Sequence, residues 1–114
     1  MKTRLLFVCS RNRWRSPAAE ALFRNHPHYD ARSAGTASSA RIRITACHIK
    51  WADRIFCMER KHAQILRERF AGALARKEHP VIVLDIPDDY TAMDAGLLEL
   101  LRETLAAYLE FPVS

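Results

Sequence analysis

Apolar residues nowhere run for the ~18 positions that a membrane span needs, so no membrane partner is expected. Cysteine is scarce: the three, at positions 9, 47 and 57, are odd in number and follow no fixed spacing. That excludes the paired framework of a disulfide-stapled secreted scaffold. Among the histidines, His26 and His28 lie two apart while His48, His62 and His79 stand alone, so no metal-ligand spacing is present and surface or partly buried roles are expected. Internal repeats, low-complexity stretches and linkers are missing, and 114 residues leave room for one domain spanning 1–114. The basic start Met1-Lys2-Thr3-Arg4 precedes an apolar stretch, Leu5–Val8, that is shorter than the ~7–15 residues of a signal h-region. A bulky Val8 also stands where a cleavage site wants a small residue, so a cytoplasmic location is expected. What is present is ordinary for a globular chain: 49% hydrophobic and 27% charged residues. The formal net charge of +5 implies attraction to anions, whether nucleic acid, lipid headgroups or phosphorylated small groups.

Short apolar runs alternate with amphipathic stretches. Leu5–Val8 reads as a strand covered on both faces. Ser16-Pro17 predicts a helix start with Ser16 as N-cap, with Ala19, Leu22, Phe23 and His26 on one face and Pro27 as the stop. A shorter strand is predicted over His28–Ser33, a surface loop over Ala37–Ile44 and a helical turn over Ala46–Trp51. Arg54–Met58 reads as a third strand, Lys61–Ala75 as one helix carrying Ala63, Leu66, Phe70 and Leu74 inward, and Val81–Leu84 as a fourth strand. Asp94 or Thr91 caps a last helix lined by Leu97, Leu101, Leu105 and Tyr108 and reaching Pro112. This alternation predicts an α/β fold in three αβα layers, with four parallel strands and helices on both faces. Ligands of such sheets sit beyond the carboxyl ends of the strands, which singles out Cys9–Arg15 and Asp85–Tyr90.

The first of these, Cys9-Ser10-Arg11-Asn12-Arg13-Trp14-Arg15-Ser16, joins a strand to a helix. A cysteine there meets a positive helix end and nearby cations, the surroundings that turn a thiol into a thiolate nucleophile. Peptide N–H groups turned inward form a nest for an anion. Arg15, six positions after Cys9, returns a planar fork suited to two oxygens of a tetraoxyanion.

The run from Leu5 through Cys9, Arg15, Ser16 and Pro17 resembles the phosphate-binding loop of the low-molecular-weight protein tyrosine phosphatases. Ser33-Ala34-Gly35-Thr36, Met58-Glu59-Arg60 and Ile86-Pro87-Asp88-Asp89-Tyr90 are similar to that family's segments after the second, third and fourth strands. The resemblance implies a flavodoxin-like sheet and a phosphomonoesterase, a protein tyrosine phosphatase needing no metal or other cofactor. It also implies a phosphotyrosine or aryl phosphate substrate. Carried over, Cys9 is the nucleophile, Arg15 the transition-state clamp, Asn12 the keeper of loop shape and Ser16 a hydrogen-bond donor to the sulfur. Ser10, Arg11, Arg13 and Trp14 complete the substrate-binding set, with Trp14 as a rim for an aromatic ring. Asp88 protonates the leaving group, with Asp89 and then Asp85 as the alternatives.

The sequence departs from the family pattern in three places. Trp14 replaces a second loop cysteine that protects the nucleophile by forming a disulfide, and Asp88-Asp89 replaces Asp-Pro. Only Ala37–Ile44 stands where the family inserts a helix that walls the site. Two alternatives remain: an arsenate reductase, which would need Cys47 or Cys57 as relay thiols, and a non-catalytic module binding phosphate or nucleic acid. Few aromatics are placed for base stacking, which weighs against nucleic acid.

Overall fold

The computed structural model describes residues 1–91 and 94–109. Strands β1 (Thr3–Cys9), β2 (Tyr29–Gly35), β3 (Arg54–Cys57) and β4 (Ile82–Val83) form one parallel sheet in the order β2-β1-β3-β4. Helices α1 (Arg15–Leu22), α2 (Ala46–Trp51), α3 (Arg60–Arg69), α4 (Ala71–Ala75) and α5 (Ala95–Leu105) connect and cover them. Strand order reverses at β1, so the crevice beyond its C-terminal end is where an open α/β sheet accepts a ligand.

The alternation of side chains along β1 divides the core in two. Leu5, Phe7 and Cys9 pack with Ala18, Ala19 and Phe23 of the α1 region and with Leu97, Leu101 and Leu105 of α5. Leu6 and Val8 face the other way, onto Ile49 of α2 and Ala63 and Leu66 of α3. Both faces are therefore covered, giving the expected three layers. Stacked rings brace the first face, with Phe7 5.8 Å from Phe23 and 5.5 Å from Phe56.

Several boundaries differ from the sequence expectation. Helix α1 ends at Leu22, and Asn25, with φ of 58°, turns the chain before Pro27. His26 therefore leaves the helix and packs on Tyr29, ring centroids 4.9 Å apart. The helix predicted over Lys61–Ala75 is two, broken at Phe70 (φ −125°, ψ 33°). That bend keeps Phe70, Ala73 and Leu74 on the second core face. The fourth strand is shorter than Val81–Leu84, although Leu84 and Ile86 continue its ladder by donating to Cys57 and Met58 carbonyls, each at 2.8 Å. Ile44, expected in a surface loop, is buried and donates to the Gly35 carbonyl at 2.9 Å. Of the two candidate caps for α5, Asp94 is the one used; its carboxylate accepts from Gly96 N–H at 2.8 Å and Leu97 N–H at 3.4 Å. After Leu105 the buried position is taken by Leu109, which leaves Tyr108 largely exposed with its ring edge on Phe56. Pro112 lies outside the described residues. No helix among the described residues is long and apolar enough to cross a membrane.

Candidate active site

Strand β1 delivers Cys9 to the sheet's C-terminal edge, and the loop to α1 curls around its sulfur. The carbonyls of four consecutive loop residues are all turned outward. Those of Cys9, Ser10 and Arg11 accept from the N–H groups of Thr36, Ala37 and Arg41 at 2.9, 2.9 and 3.0 Å, and Asn12 O accepts from Arg41 Nε at 3.0 Å. In a planar trans peptide the N–H points opposite to the C=O, so the loop's N–H groups are turned to the inner side. Asn12 N–H accordingly donates to Cys9 Sγ at 3.2 Å. Asn12 adopts φ of 55° to make this turn, a left-handed conformation that Asn tolerates better than most residues.

Ser16 is not the helix cap. Helix α1 begins at Arg15, with Trp14 as N-cap making no side-chain cap bond. The Ser16 hydroxyl is instead 2.9 Å from Cys9 Sγ and accepts from Asn12 Nδ2 at 3.0 Å. Because its oxygen is taken by that amide, its own proton is free for the sulfur. The nucleophile candidate thus has two hydrogen-bond partners at its sulfur, a backbone N–H and a hydroxyl. Pro17 costs nothing here, since first-turn N–H groups have no intrahelical acceptor.

Arg15 is almost wholly buried. Its Nη1 donates to Glu59 Oε2 at 2.6 Å and to Ile86 O at 2.9 Å, while Nε lies 3.6 Å from Asp88 Oδ1. Burial works to raise the Glu59 pKa, but the Arg15 hydrogen bond and charge, with Lys61 and His62, outweigh it and hold it below the ordinary value. A buried guanidinium without such a carboxylate would be strongly unfavourable. Glu59 and Ile86 thereby fix the plane of the fork from behind.

A cavity of about 390 Å³ opens above the sulfur, lined by Cys9, Ser10, Arg11, Arg13, Trp14, Arg15, Lys61 and Asp88. Seven of these were singled out by the sequence; Lys61 was not. Asn12 and Ser16, expected to bind substrate, lie under the sulfur and do not line the cavity. Asp88 is the carboxylate at its mouth. Asp85, with φ of 56°, instead lines a shallower depression with Glu59, Arg60 and Pro87, and Asp89 lines neither. Trp14 is 42% exposed, as a rim residue would be.

Sequence reasoning missed four contributors. Glu59 sat inside a recognised segment but was given no role. Lys61 looked like a solvated helix charge. Arg41 looked like part of a surface loop, yet it ties down the outer edge of the Cys9–Arg15 loop. His62 was expected to be at least partly exposed and is fully buried. It accepts the Glu59 N–H at Nδ1 (3.0 Å) and faces Ser10 Oγ with Nε2 (2.8 Å). Burial, helped by the charges of Arg15 and Lys61 and opposed by Glu59 and Asp88, lowers its pKa to about 4. Among the described residues no three metal-ligating side chains come together.

The same architecture occurs in solved structures. One is the YwlE arginine phosphatase from Geobacillus stearothermophilus, 25% identical, matching 91% of this chain and 86% of its own with a TM-score of 0.69. A second is the tyrosine phosphatase Wzb from Escherichia coli K30 in complex with phosphate, at 20% identity, 95% and 96% coverage and a TM-score of 0.74. A third is the low-molecular-weight protein tyrosine phosphatase of Streptococcus pyogenes, at 16% identity, 96% and 95% coverage and a TM-score of 0.71. This chain has the low-molecular-weight protein tyrosine phosphatase fold. No protein-family model matches the sequence, and neither does any curated protein. Within that phosphatase fold the remaining cysteines fall on the wrong side of the sheet for a relay. Cys9 belongs to the α1/α5 face and buried Cys57 to the opposite one. Burial pushes the Cys57 thiol up to about 12. Cys47 is exposed on α2, the helix that packs through Ile49 on the Cys57 face.

Proposed function

We propose that this protein is a cysteine-dependent phosphomonoesterase acting on phosphotyrosine or another aryl phosphate, without a metal. The observation that carries the reading is the convergence of Cys9 Sγ, its two donors, the Arg15 fork and Asp88 on one cavity. In the first step the Cys9 thiolate attacks phosphorus in line. The bond to the ester oxygen breaks, and Asp88, as acid, delivers its proton to that oxygen so that a phenol departs. In the second, Asp88 takes a proton from water, which attacks the phosphocysteine; the S–P bond breaks and phosphate and thiolate are regenerated. Loop N–H groups and Arg15 hold the equatorial oxygens throughout, fixed in advance by Arg41, Glu59 and Ile86.

Substrate choice follows from the rim. Trp14 offers an exposed face for an aromatic ring. Arg11, Arg13 and Lys61 add positive charge around the mouth, which draws in anionic substrates and weakens with salt. The same charges oppose a phosphoguanidinium group, so an aryl phosphate fits better than phosphoarginine. The relay an arsenate reductase would need has no thiol on the Cys9 face.

The test is turnover of para-nitrophenyl phosphate and of a phosphotyrosine peptide, with a phosphoarginine peptide as comparison. Cys9→Ser and Arg15→Ala each abolish it. Activity that survives Cys9→Ser overturns the mechanism, and a preference for phosphoarginine overturns the assignment of substrate.

A further inference from the structure

The first turn of α3 touches the loop at both of its ends. Glu59 sends its carboxylate to Arg15, where the loop finishes, and its N–H to His62 Nδ1. His62 in turn reaches Ser10, the residue after the nucleophile, at 2.8 Å. The tautomer is decided by these contacts. A backbone N–H donates to Nδ1, so the ring proton sits on Nε2 and Nε2 is the donor to Ser10 Oγ. An oxygen that accepts the imidazole proton must direct its own hydroxyl proton elsewhere. Ser10 lines the cavity, and its carbonyl is already turned away onto Ala37.

We propose that His62 is a positioning residue that fixes the Ser10 hydroxyl so that its proton is presented to a phosphate oxygen bound above Cys9. The inference rests on the reading of this cavity as an oxyanion site. It assigns to Ser10 one side-chain donor beyond the peptide N–H groups, oriented before the anion arrives and so costing no reorganisation when it binds. Protonated at both nitrogens, the ring would lose the Glu59 N–H bond. Burial and the facing charges of Arg15 and Lys61 oppose that state, while Glu59 and Asp88 favour it less strongly.

His62→Gln separates the two duties of the side chain. A glutamine at this third helical position still accepts the N-cap N–H, as in a capping box, but lacks a donor on the far side of a ring. Ser10→Ala removes the hydroxyl itself and leaves the buried His62 Nε2 proton without its acceptor, which costs some stability, so binding and turnover are read well below the melting midpoint of every variant. Inorganic phosphate affinity by calorimetry and kcat and KM for para-nitrophenyl phosphate are read for both single variants and for the double variant. Loss of one hydrogen bond to a charged ligand predicts phosphate affinity and kcat/KM about tenfold weaker in each single variant. The double variant is no worse than Ser10→Ala alone, because both changes remove the same bond. A His62→Gln protein that melts earlier but keeps wild-type phosphate affinity overturns the inference, and so do losses that multiply in the double variant. Wild-type turnover with an unaffected Ser10→Ala variant sinks this inference and leaves the phosphatase reading standing. Phosphate binding that depends on Ser10 and His62 in a protein without turnover does the reverse.

Discussion

Replacing Gly35 with alanine tests how the site is held together. Gly35 ends β2 and has an ordinary negative φ, so the glycine is required by space and not by backbone conformation. A Cβ there would stand 2.5 Å from Ser10 O, 2.7 Å from Ala40 Cβ and 3.0 Å from the Arg11 carbonyl carbon. Two of these are backbone atoms of the loop around Cys9, and the third belongs to a side chain with no rotamer to change. The loop must therefore retreat by on the order of 1 Å to restore ordinary contact. Overpacking of this kind costs about 1–3 kcal/mol, which for a domain of this size lowers Tm by roughly 4–12 °C. A shift of about 1 Å in catalytic groups lowers rate by on the order of a hundredfold, so kcat/KM falls far more than folding does. Gly72→Ala is the internal control: nothing lies within 4 Å of its added Cβ, and the residue sits inside α4. That change stabilises by about 0.5–1 kcal/mol and leaves turnover unchanged. Melting followed by circular dichroism and kcat/KM measured well below both midpoints decide the matter. A Gly35→Ala protein that melts with the wild type and turns over within twofold of it refutes the argument.

Two further outcomes are expected. Asp88→Asn slows hydrolysis of phenyl phosphate, whose leaving group needs a proton, by about 10²–10⁴-fold. It slows para-nitrophenyl phosphate less, and Asp89→Asn does neither; equal effects of the two substitutions would remove Asp88 from its role. Stability in urea falls as pH drops from 6.5 toward 4. Folded His62 refuses the proton down to about 4, while the unfolded chain accepts it near 6.5, a difference worth at most about 3 kcal/mol. His26 and His48, both lowered first by burial, add to the slope. Glu59, held below its ordinary 4.5, extends the loss to lower pH as it protonates. His62→Gln flattens the window, and a stability constant from pH 7 to pH 5 would contradict these assignments.

What was legible in the sequence was what is local. Cys9, Arg15 and the turn between them lie within one strand–loop–helix segment, so their spacing alone predicts that they share a cradle. The two-faced core follows from apolar runs whose alternate residues both had to be covered, whereas the strand order β2-β1-β3-β4 does not. Illegible were the partners brought in by long connections. Glu59 is 44 positions from the arginine it holds, His62 is 52 from the serine it touches, and Arg41 is 29 from Asn12. Each reads in sequence as an ordinary helix or loop residue. The Ser33-Ala34-Gly35-Thr36 segment was visible as a motif, but its physical reason was not. Thr36 N–H holds the Cys9 carbonyl, and Gly35 yields the space the loop backbone occupies.

Strand parity carries the redox argument further than cysteine counting could. Cys9 pairs across β1 with Gly35, while Val8, its predecessor, pairs with Cys57. Adjacent residues of a strand point to opposite faces, so the register that places Cys57 beside Val8 also places its sulfur behind the sheet from Cys9. Cys57 is fully buried there, and its raised pKa keeps it a thiol, an unreactive form in disulfide exchange. A disulfide between them would have to pass through hydrogen-bonded backbone. With Trp14 at the loop position where the family carries a second cysteine, the fold offers Cys9 no intramolecular resolving thiol on its own face. Oxidised Cys9 is therefore expected to be rescued by an external thiol rather than by its own chain.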